Sequence, residues 1–191
     1  KRGNADVLVA IDDAAARLGL APGLALTQAR AMHPMLDTVP EDADADAQLL
    51  EHIADWCLRY TPLVALNPPD GLSLDVTGAT HLFGGETALL IDLGARLIAQ
   101  GFLARTAIAD TPGAAFAAAR YGNGGVVPPG LVMTMLQSLP IAALRLDPET
   151  VAALDRGGLK RIGQLVEAPR APLATRFGAA LLRRLDQAVG R

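Results

Sequence analysis

The sequence contains a single cysteine, Cys57, so the chain cannot form an internal disulfide. A lone thiol is typical of proteins from reducing compartments. No apolar run approaches the roughly 20 residues of a membrane-spanning helix. Lys1 and Arg2 precede an apolar stretch, but Asp6 and Asp12 interrupt it, which argues against a signal peptide. We therefore expect a soluble, cytoplasmic protein.

The sequence also lacks the residue patterns of common metal and phosphate sites. His33, His52 and His81 are far apart and have no Cys or His neighbour at metal-binding spacing. Gly84-Gly85 is not followed by Lys and Ser or Thr, which excludes a P-loop. The acidic run 41–46 is interpreted as a solvated loop that supplies charge to a helix N-terminus. We predict no bound metal and no cofactor.

Positive charge is scarce in the first part of the chain. Residues 1–140 carry 8 Lys and Arg against 15 Asp and Glu, whereas residues 141–191 carry 9 against 5. If any part of the chain contacts phosphates, we expect it to be the C-terminal part. The alternative is a solvated basic face on a small helical lobe, and the charge pattern alone leaves both open.

The pattern of apolar residues and chain breakers predicts a mixed α/β (α+β) fold, because strands alternate with helices before an all-helical end. Just over half of the residues, 51%, are hydrophobic, which is enough for a sizeable core. Asp12 and Asp13 are candidate helix N-caps, and Gly19 is a candidate helix end. The predicted strands are 7–11, 36–40, 63–66, 72–76 and 106–109. The predicted helices are 13–18, 27–32, 44–60, 87–100, 112–120, 131–137, 148–155, 161–166 and 172–189, with a linker at 121–130.

Three stretches in this order resemble the Y-family (DinB-like) translesion polymerases, and specifically the ImuB branch. They are residues 20–36 with Thr27-Gln-Ala-Arg30, residues 59–86 with Leu74-Asp-Val-Thr-Gly78 and His81-Leu-Phe-Gly-Gly-Glu86, and residues 139–178. The resemblance implies a fingers-like lobe at 1–45, a palm-like sheet with flanking helices at 46–125 and an all-helical, helix–hairpin–helix-related thumb at 126–191. The family's first palm strand and its little finger are absent from the sequence, so the chain corresponds to a fragment of that family.

The same resemblance implies that the catalytic centre is degenerate. Active members hold two Mg²⁺ ions with carboxylates during nucleotide transfer. Their Asp-Glu pair falls on Asp70 and Gly71, so one of the two carboxylates is missing. Magnesium requires near-octahedral oxygen ligation, and a missing carboxylate is not easily replaced. We therefore predict no catalytic residues.

The nucleotide-binding positions of active members also differ here. A Tyr and an Arg of the fingers fall on Asp13 and Ala16, and two Lys of the palm fall on Pro112 and Phe116. An aspartate at a triphosphate site is unfavourable because like charges repel at close range. These four positions are interpreted as lost nucleotide contacts.

The thumb-like segment departs from the family pattern as well. Residues 145–148, Arg-Leu-Asp-Pro, replace a glycine-rich hairpin that can bind a DNA phosphate. A second turn remains glycine-rich and basic, and it contains the candidate DNA-binding residues Gly157, Gly158, Lys160 and Arg161. The alternative interpretation of this turn is a plain connection between two helices.

The resemblance implies a non-catalytic, polymerase-like subunit of a damage-induced (SOS) mutagenic translesion synthesis complex, with a role in DNA repair as a protein–protein hub. The expected partners are a RecA-like ImuA protein, an error-prone replicative-type DNA polymerase and a sliding clamp contacted through segments outside this sequence, with weak DNA binding as a further possibility. Two alternatives remain open at this stage. One is an active translesion polymerase with an unusual site, and the other is a DNA-binding scaffold that acts through the thumb.

Overall fold

The computed structural model describes residues 5–191, which form two compact units, residues 5–52 and residues Ile53–Arg191. Helix and strand are mixed, as predicted for the fold class. The unit boundary falls within helix α3, Ala43–Cys57. The finer division into segments 1–45, 46–125 and 126–191 stays a prediction.

The first unit contains two short helices, α1 at Asp13–Arg17 and α2 at Leu26–Met32. The predicted N-cap of α1 is confirmed, because the Asp12 Oδ1 accepts a hydrogen bond from the Ala15 N–H at 2.7 Å. The predicted end at Gly19 is also confirmed. Gly19 has φ +80°, a left-handed conformation that glycine adopts without a steric penalty.

The two strands predicted in this unit are not formed. Val7–Ile11 contributes only a single bridge between Val7 and Ala25, because the chain after Ala25 turns at once into α2 and offers no longer partner. Residues 36–40 are irregular. No neighbouring strand is available to them within residues 5–52, and Pro40 lacks an N–H for a sheet.

The second unit begins with a β-hairpin that matches the predicted pair of strands within two residues. Strands β1, Val64–Asn67, and β2, Gly71–Leu74, are antiparallel, with Val64 opposite Leu74 and Asn67 opposite Gly71. A three-residue turn, Pro68-Pro69-Asp70, joins them and contains a cis Pro68–Pro69 bond. A 3₁₀ turn at Thr80–Phe83 then leads into helix α4, Glu86–Ala99.

A second pair of strands is parallel and connects through helix α5, Pro112–Tyr121. Strand β3, Ala107–Ile108, pairs with strand β4, Gly125–Val126. The predicted linker at 121–130 was therefore wrong, because glycines with positive φ turn the chain back and the Val127 N–H donates to the Ile108 carbonyl at 2.8 Å. The four strands form two separate two-stranded sheets rather than one palm sheet.

The remainder of the second unit is helical. The helices are α6 at Val132–Ser138, α7 at Pro148–Arg156, α8 at Ile162–Glu167, α9 at Arg170–Phe177 and α10 at Ala179–Val189, with a 3₁₀ turn at Ile141–Leu144. The single helix predicted at 172–189 was wrong, because Gly178 has φ +85° and separates α9 from α10. The side chains of Arg170 and Asp186 then form an ion pair between the two helices. In residues 5–191 no helix combines the length and the hydrophobicity needed to cross a bilayer.

Two hydrophobic clusters hold the second unit together. In the first, Leu89, Leu93 and Leu97 of α4 pack around Tyr60, whose hydroxyl donates to Asp92 Oδ2 at 2.7 Å. The second cluster is larger and joins α5 to the C-terminal helices. Its members include Ala114, Ala117, Ala118, Leu136, Leu144, Leu154, Ile162, Leu165, Leu181 and Leu185.

We expect Leu136→Ala to lower the free energy of unfolding by about 2–5 kcal/mol, because it opens a cavity at a fully buried position. Leu103, 87% exposed, is the matched control, and Leu103→Ala should change that free energy by no more than about 0.5 kcal/mol. Urea unfolding followed by circular dichroism measures both. Equal losses in the two variants would contradict this assignment of the core.

Candidate functional site

The β1–β2 turn places Asp70 at the tip of the hairpin. Asn67 and Gly71 close the turn as the last paired residues of the two strands. The Asp70 side chain is half exposed, at 54%. The turn therefore presents its carboxylate outward rather than burying it.

Both oxygens of Asp70 are bound by one arginine from the last turn of α5. Arg120 donates from Nη1 to Oδ1 and from Nη2 to Oδ2, each at 2.8 Å. This parallel two-bond arrangement is the strongest geometry for an arginine–carboxylate pair. The hydrogen bonds that Arg120 donates to Asp70 raise the pKa of Arg120 above its ordinary value, so the guanidinium stays charged.

A second arginine, Arg145, contacts the residue that precedes the same turn. Arg145 Nη2 donates to Asn67 Oδ1 at 2.8 Å, and its guanidinium lies 4.9 Å from the centre of the Phe116 ring. Arg145 has φ +58° and is the one non-glycine residue with positive φ in the described part of the chain. Phe116 stands at a position where the resemblance predicts a lysine in active family members. Its ring here packs against the guanidinium of Arg145, a cation from another segment of the chain.

The residues at this turn do not fit a two-metal centre. Magnesium binds through oxygen ligands, usually carboxylates, at about 2.0–2.1 Å. The oxygens of Asp70 already accept hydrogen bonds from Arg120, and Gly71 offers no side chain. Among residues 5–191 no three side chains of the His, Cys, Asp or Glu type come together.

The other predicted nucleotide positions are spread over the two units. Asp13 and Ala16 are exposed on α1 in the first unit. Pro112 is the first residue of α5, where its missing N–H costs nothing because the helix cap is the Thr111 hydroxyl, which accepts from the Ala114 N–H at 3.0 Å. In the second unit the structure thus brings together Asp70, Gly71 and Phe116, the last through Arg145.

Sequence reasoning missed Arg120 and Arg145. They lie 50 and 78 positions from Asp70 and Asn67 in the sequence, respectively. No helical or strand period connects residues so far apart. The one available signal was the basic residue in the last turn of an Ala-rich helix, and it does not identify a partner.

The backbone N–H groups of the glycine-rich turn after α7 have hydrogen-bond partners within the chain. The N–H groups of Lys160 and Arg161 both donate to Gln164 Oε1, at 2.7 and 2.9 Å. The N–H groups of Gly157 and Gly158 donate to the Ala153 and Asp155 carbonyls. Backbone donors that could cradle a phosphate are therefore already used at this turn.

The side chains of this turn differ in their availability. Lys160 is 71% exposed and lies 3.9 Å from Asp155, a long ion-pair distance. Arg161 donates from Nη1 to the Ser138 carbonyl, which holds it against the protein. Lys160 is thus the more accessible cation of the predicted DNA-binding residues.

The start of α7 is capped by an acid. Asp147 Oδ1 accepts a hydrogen bond from the Thr150 N–H at 2.8 Å, and Pro148 has no N–H to offer. Hydrogen bonding with the Thr150 side chain, and then with its N–H, lowers the pKa of Asp147 below its ordinary value of 3.8. A carboxylate of the chain itself therefore occupies the position where a helix N-terminus would attract a phosphate.

Comparison with known proteins gives consistent matches. The sequence model of the impB/mucB/samB family matches residues 1–120. The chain is 50% identical over 174 residues, 91% of its length, to Protein ImuB of Caulobacter vibrioides (strain NA1000 / CB15N), of which it covers 38%. It is 28% identical over 171 residues, 86% of its length, to DNA polymerase IV of Salmonella typhimurium, of which it covers 48%.

Solved structures match over nearly the whole chain. The insertion ternary complex of Dbh DNA polymerase gives a TM-score of 0.80 at 18% identity, with 99% of this chain and 57% of that chain covered. DinB from Sulfolobus solfataricus gives 0.78 at 19% identity, with 98% and 57% covered. The fold is therefore that of a Y-family polymerase. The chain spans less than half the length of the curated relatives it matches.

Because Asp147 caps α7 with a titrating carboxylate, we expect the wild type and a variant with a non-titrating cap to differ in stability at low pH. The lowered pKa of Asp147 means that its contribution is present above pH 3.8 and is lost as the pH falls through the folded-state pKa. Asp147→Ser keeps a cap that does not titrate. We expect the two proteins to unfold at similar urea concentrations at pH 7, and the wild type to lose more stability than the variant below about pH 3.8.

Urea midpoints measured at pH 7, 5, 4, 3 and 2.5 test this expectation, with the change in each protein referred to its own value at pH 7. Parallel curves for wild type and Asp147→Ser down to the lowest pH would contradict the assignment of Asp147 as a titrating cap.

Proposed function

Because this chain belongs to the impB/mucB/samB family, we propose that it is the polymerase-like part of a non-catalytic hub protein in a damage-induced mutagenic translesion synthesis complex. The proposal has two parts, the absence of nucleotide transfer and the assembly role. Each is supported by separate observations and is tested separately.

The absence of nucleotide transfer is supported above all by the Asp70–Arg120 pair. Phosphoryl transfer depends on metal ions that bridge phosphate oxygens and neutralise developing charge. At the β1–β2 turn the surviving carboxylate is instead neutralised by a guanidinium at 2.8 Å from each oxygen. Gly71 supplies no second ligand. The loss of charge-stabilising groups typically costs about 10²–10³ in rate for each contact.

The assembly role is supported by the likeness to Protein ImuB, which is 50% identical over 174 residues. We propose that the partners are a RecA-like ImuA protein, an error-prone replicative-type polymerase and a sliding clamp, the last through segments outside this sequence. Exposed apolar side chains on the second unit are compatible with protein contacts. Ile91 and Ile98, 66% and 61% exposed, lie on the same face of α4.

We expect the full-length protein to give no template-directed primer extension with Mg²⁺ or Mn²⁺, because its surviving carboxylate is bound to an arginine. Asp70→Asn should leave that result unchanged. It should also leave unchanged the amount of ImuA-like protein and polymerase that the tagged full-length protein retains in a pull-down.

The positive control is DNA polymerase IV in the same assay. Template-directed product from the wild type that disappears in Asp70→Asn would overturn the non-catalytic part of the proposal. Failure to retain any of the proposed partners would overturn the hub part and would leave the non-catalytic part standing.

A second candidate, a DNA-binding scaffold, is favoured by the excess of basic residues in 141–191 and by the exposure of Lys160. Under this candidate, Lys160→Glu should weaken duplex DNA binding uniformly across sequences and reduce its salt dependence by about one phosphate contact. Arg161→Glu is a less specific probe, because it also removes the hydrogen bond from Arg161 to the Ser138 carbonyl.

Fluorescence anisotropy at several salt concentrations measures this effect, with Glu149→Lys as a control for added positive charge elsewhere in the same segment. DNA binding that is absent in the wild type, or that Lys160→Glu leaves unaltered, would remove the scaffold candidate at this turn.

A further inference from the structure

The side-chain oxygens of the β1–β2 hairpin are all engaged. Asn67 Oδ1 accepts from Arg145, and the two oxygens of Asp70 accept from Arg120. Ser73 Oγ accepts from Asn67 Nδ2. A cation that approached this turn would find no side-chain oxygen without an existing donor.

The two arginines also reverse the charge of the turn. Asp70 contributes one negative charge, whereas Arg120 and Arg145 contribute two positive charges. A metal ion bound to Asp70 would have to lie close to a guanidinium that already contacts both oxygens, and like charges at such distances repel strongly. Displacement of Arg120 would therefore have to precede any binding of a divalent cation.

Both arginines extend from well-packed backbone. Arg120 follows Ala114, Ala117 and Ala118, which are buried on the inner face of α5. Arg145 follows the 3₁₀ turn whose Ile141 and Leu144 are 2% and 3% exposed. The backbone positions of Arg120 and Arg145 are thus fixed by the core. This limits how far the two guanidinium groups can move from the turn.

The backbone of Arg145 adds an independent observation. Arg145 ends the 3₁₀ turn Ile141–Leu144 in the left-handed conformation, which is uncommon for a non-glycine residue. Here the left-handed backbone carries a side chain that contacts both Asn67 and the Phe116 ring. The backbone conformation that ends the 3₁₀ turn thus directs the Arg145 side chain to the β1–β2 turn.

We infer that Arg120 and Arg145 act as internal counter-ions that close the β1–β2 turn to divalent cations, so that adding a carboxylate at position 71 does not by itself create a cation site. This inference rests on the proposed non-catalytic function and assigns its cause to two residues outside the hairpin. Arg120 and Arg145 are therefore specificity-determining residues that exclude metal.

Position 71 can be used to test the inference. A Cβ atom at Gly71 would lie 3.2 Å from the Asn67 carbonyl oxygen, so a side chain there requires a shift of a few tenths of an ångström. Gly71 does not have a positive φ, and a non-glycine residue is therefore compatible with its backbone. Gly71→Glu supplies the second carboxylate while leaving both arginines in place.

The experiment is Mn²⁺ binding to the full-length protein, measured by electron paramagnetic resonance of free Mn²⁺, with Asp70→Asn in each background as the blank for other sites. The variants are Gly71→Glu alone, Gly71→Glu with Arg120→Gln, and Gly71→Glu with Arg120→Gln and Arg145→Gln. A charge-matched control combines Gly71→Glu with Arg156→Gln and Arg183→Gln, two exposed arginines on α7 and α10.

We expect the triple variant to bind Mn²⁺ at least tenfold more tightly than Gly71→Glu alone or the charge-matched control. Equal affinity in the triple variant and Gly71→Glu would overturn the inference, as would equal affinity in the triple variant and the charge-matched control. If circular dichroism shows that the triple variant does not fold, the Gly71→Glu, Arg120→Gln protein replaces it. That protein should then bind Mn²⁺ more tightly than Gly71→Glu alone and than the charge-matched control.

The outcome separates this inference from the proposed function. Asp70-dependent Mn²⁺ binding and primer extension by the wild type would overturn the non-catalytic proposal itself. Mn²⁺ binding that appears with Gly71→Glu alone would overturn only the role of the two arginines.

Discussion

The ion pair between Asp70 and Arg120 sets the chemistry of the β1–β2 turn. It joins residues 50 positions apart through two bonds of 2.8 Å. Both side chains are about half exposed, so the pair contributes no more than about 1 kcal/mol to stability. Its consequence is local and electrostatic, because a carboxylate that is already neutralised has little remaining attraction for an external cation.

Groups that could bind an external ion are also paired within the chain at two places in the C-terminal part. Asp147 occupies the N-terminus of α7, and Gln164 accepts from the N–H groups of Lys160 and Arg161. In each case a side chain of the chain itself binds a group that could otherwise bind an external ion. Such side-chain caps satisfy free N–H groups of a helix's first turn without an external ligand.

Local features could be predicted from the sequence, whereas contacts between distant segments could not. The N-cap at Asp12, the helix end at Gly19 and the β1–β2 hairpin follow from short-range rules. The break at Gly178 was missed because the apolar period continues across it. Asp70 and Gly71 could be placed at a turn by their neighbours alone. Arg120 and Arg145 could not, because only the packing of α5 and of the 3₁₀ turn brings them there.

The hydrophobic clusters explain how the fold is maintained independently of the turn that carries Asp70. Neither cluster includes a residue of the turn 68–70. Buried Ala and Leu side chains fix helix α5, which carries Arg120, and the 3₁₀ turn that precedes Arg145. Even the close approach of Gly113 to Ala188, where an added Cβ would lie 3.1 Å from the Ala188 Cα, concerns helix packing and not the turn. Since the packing that maintains the shape is separate from the turn, we expect substitutions at residues 68–70 to change the fold little.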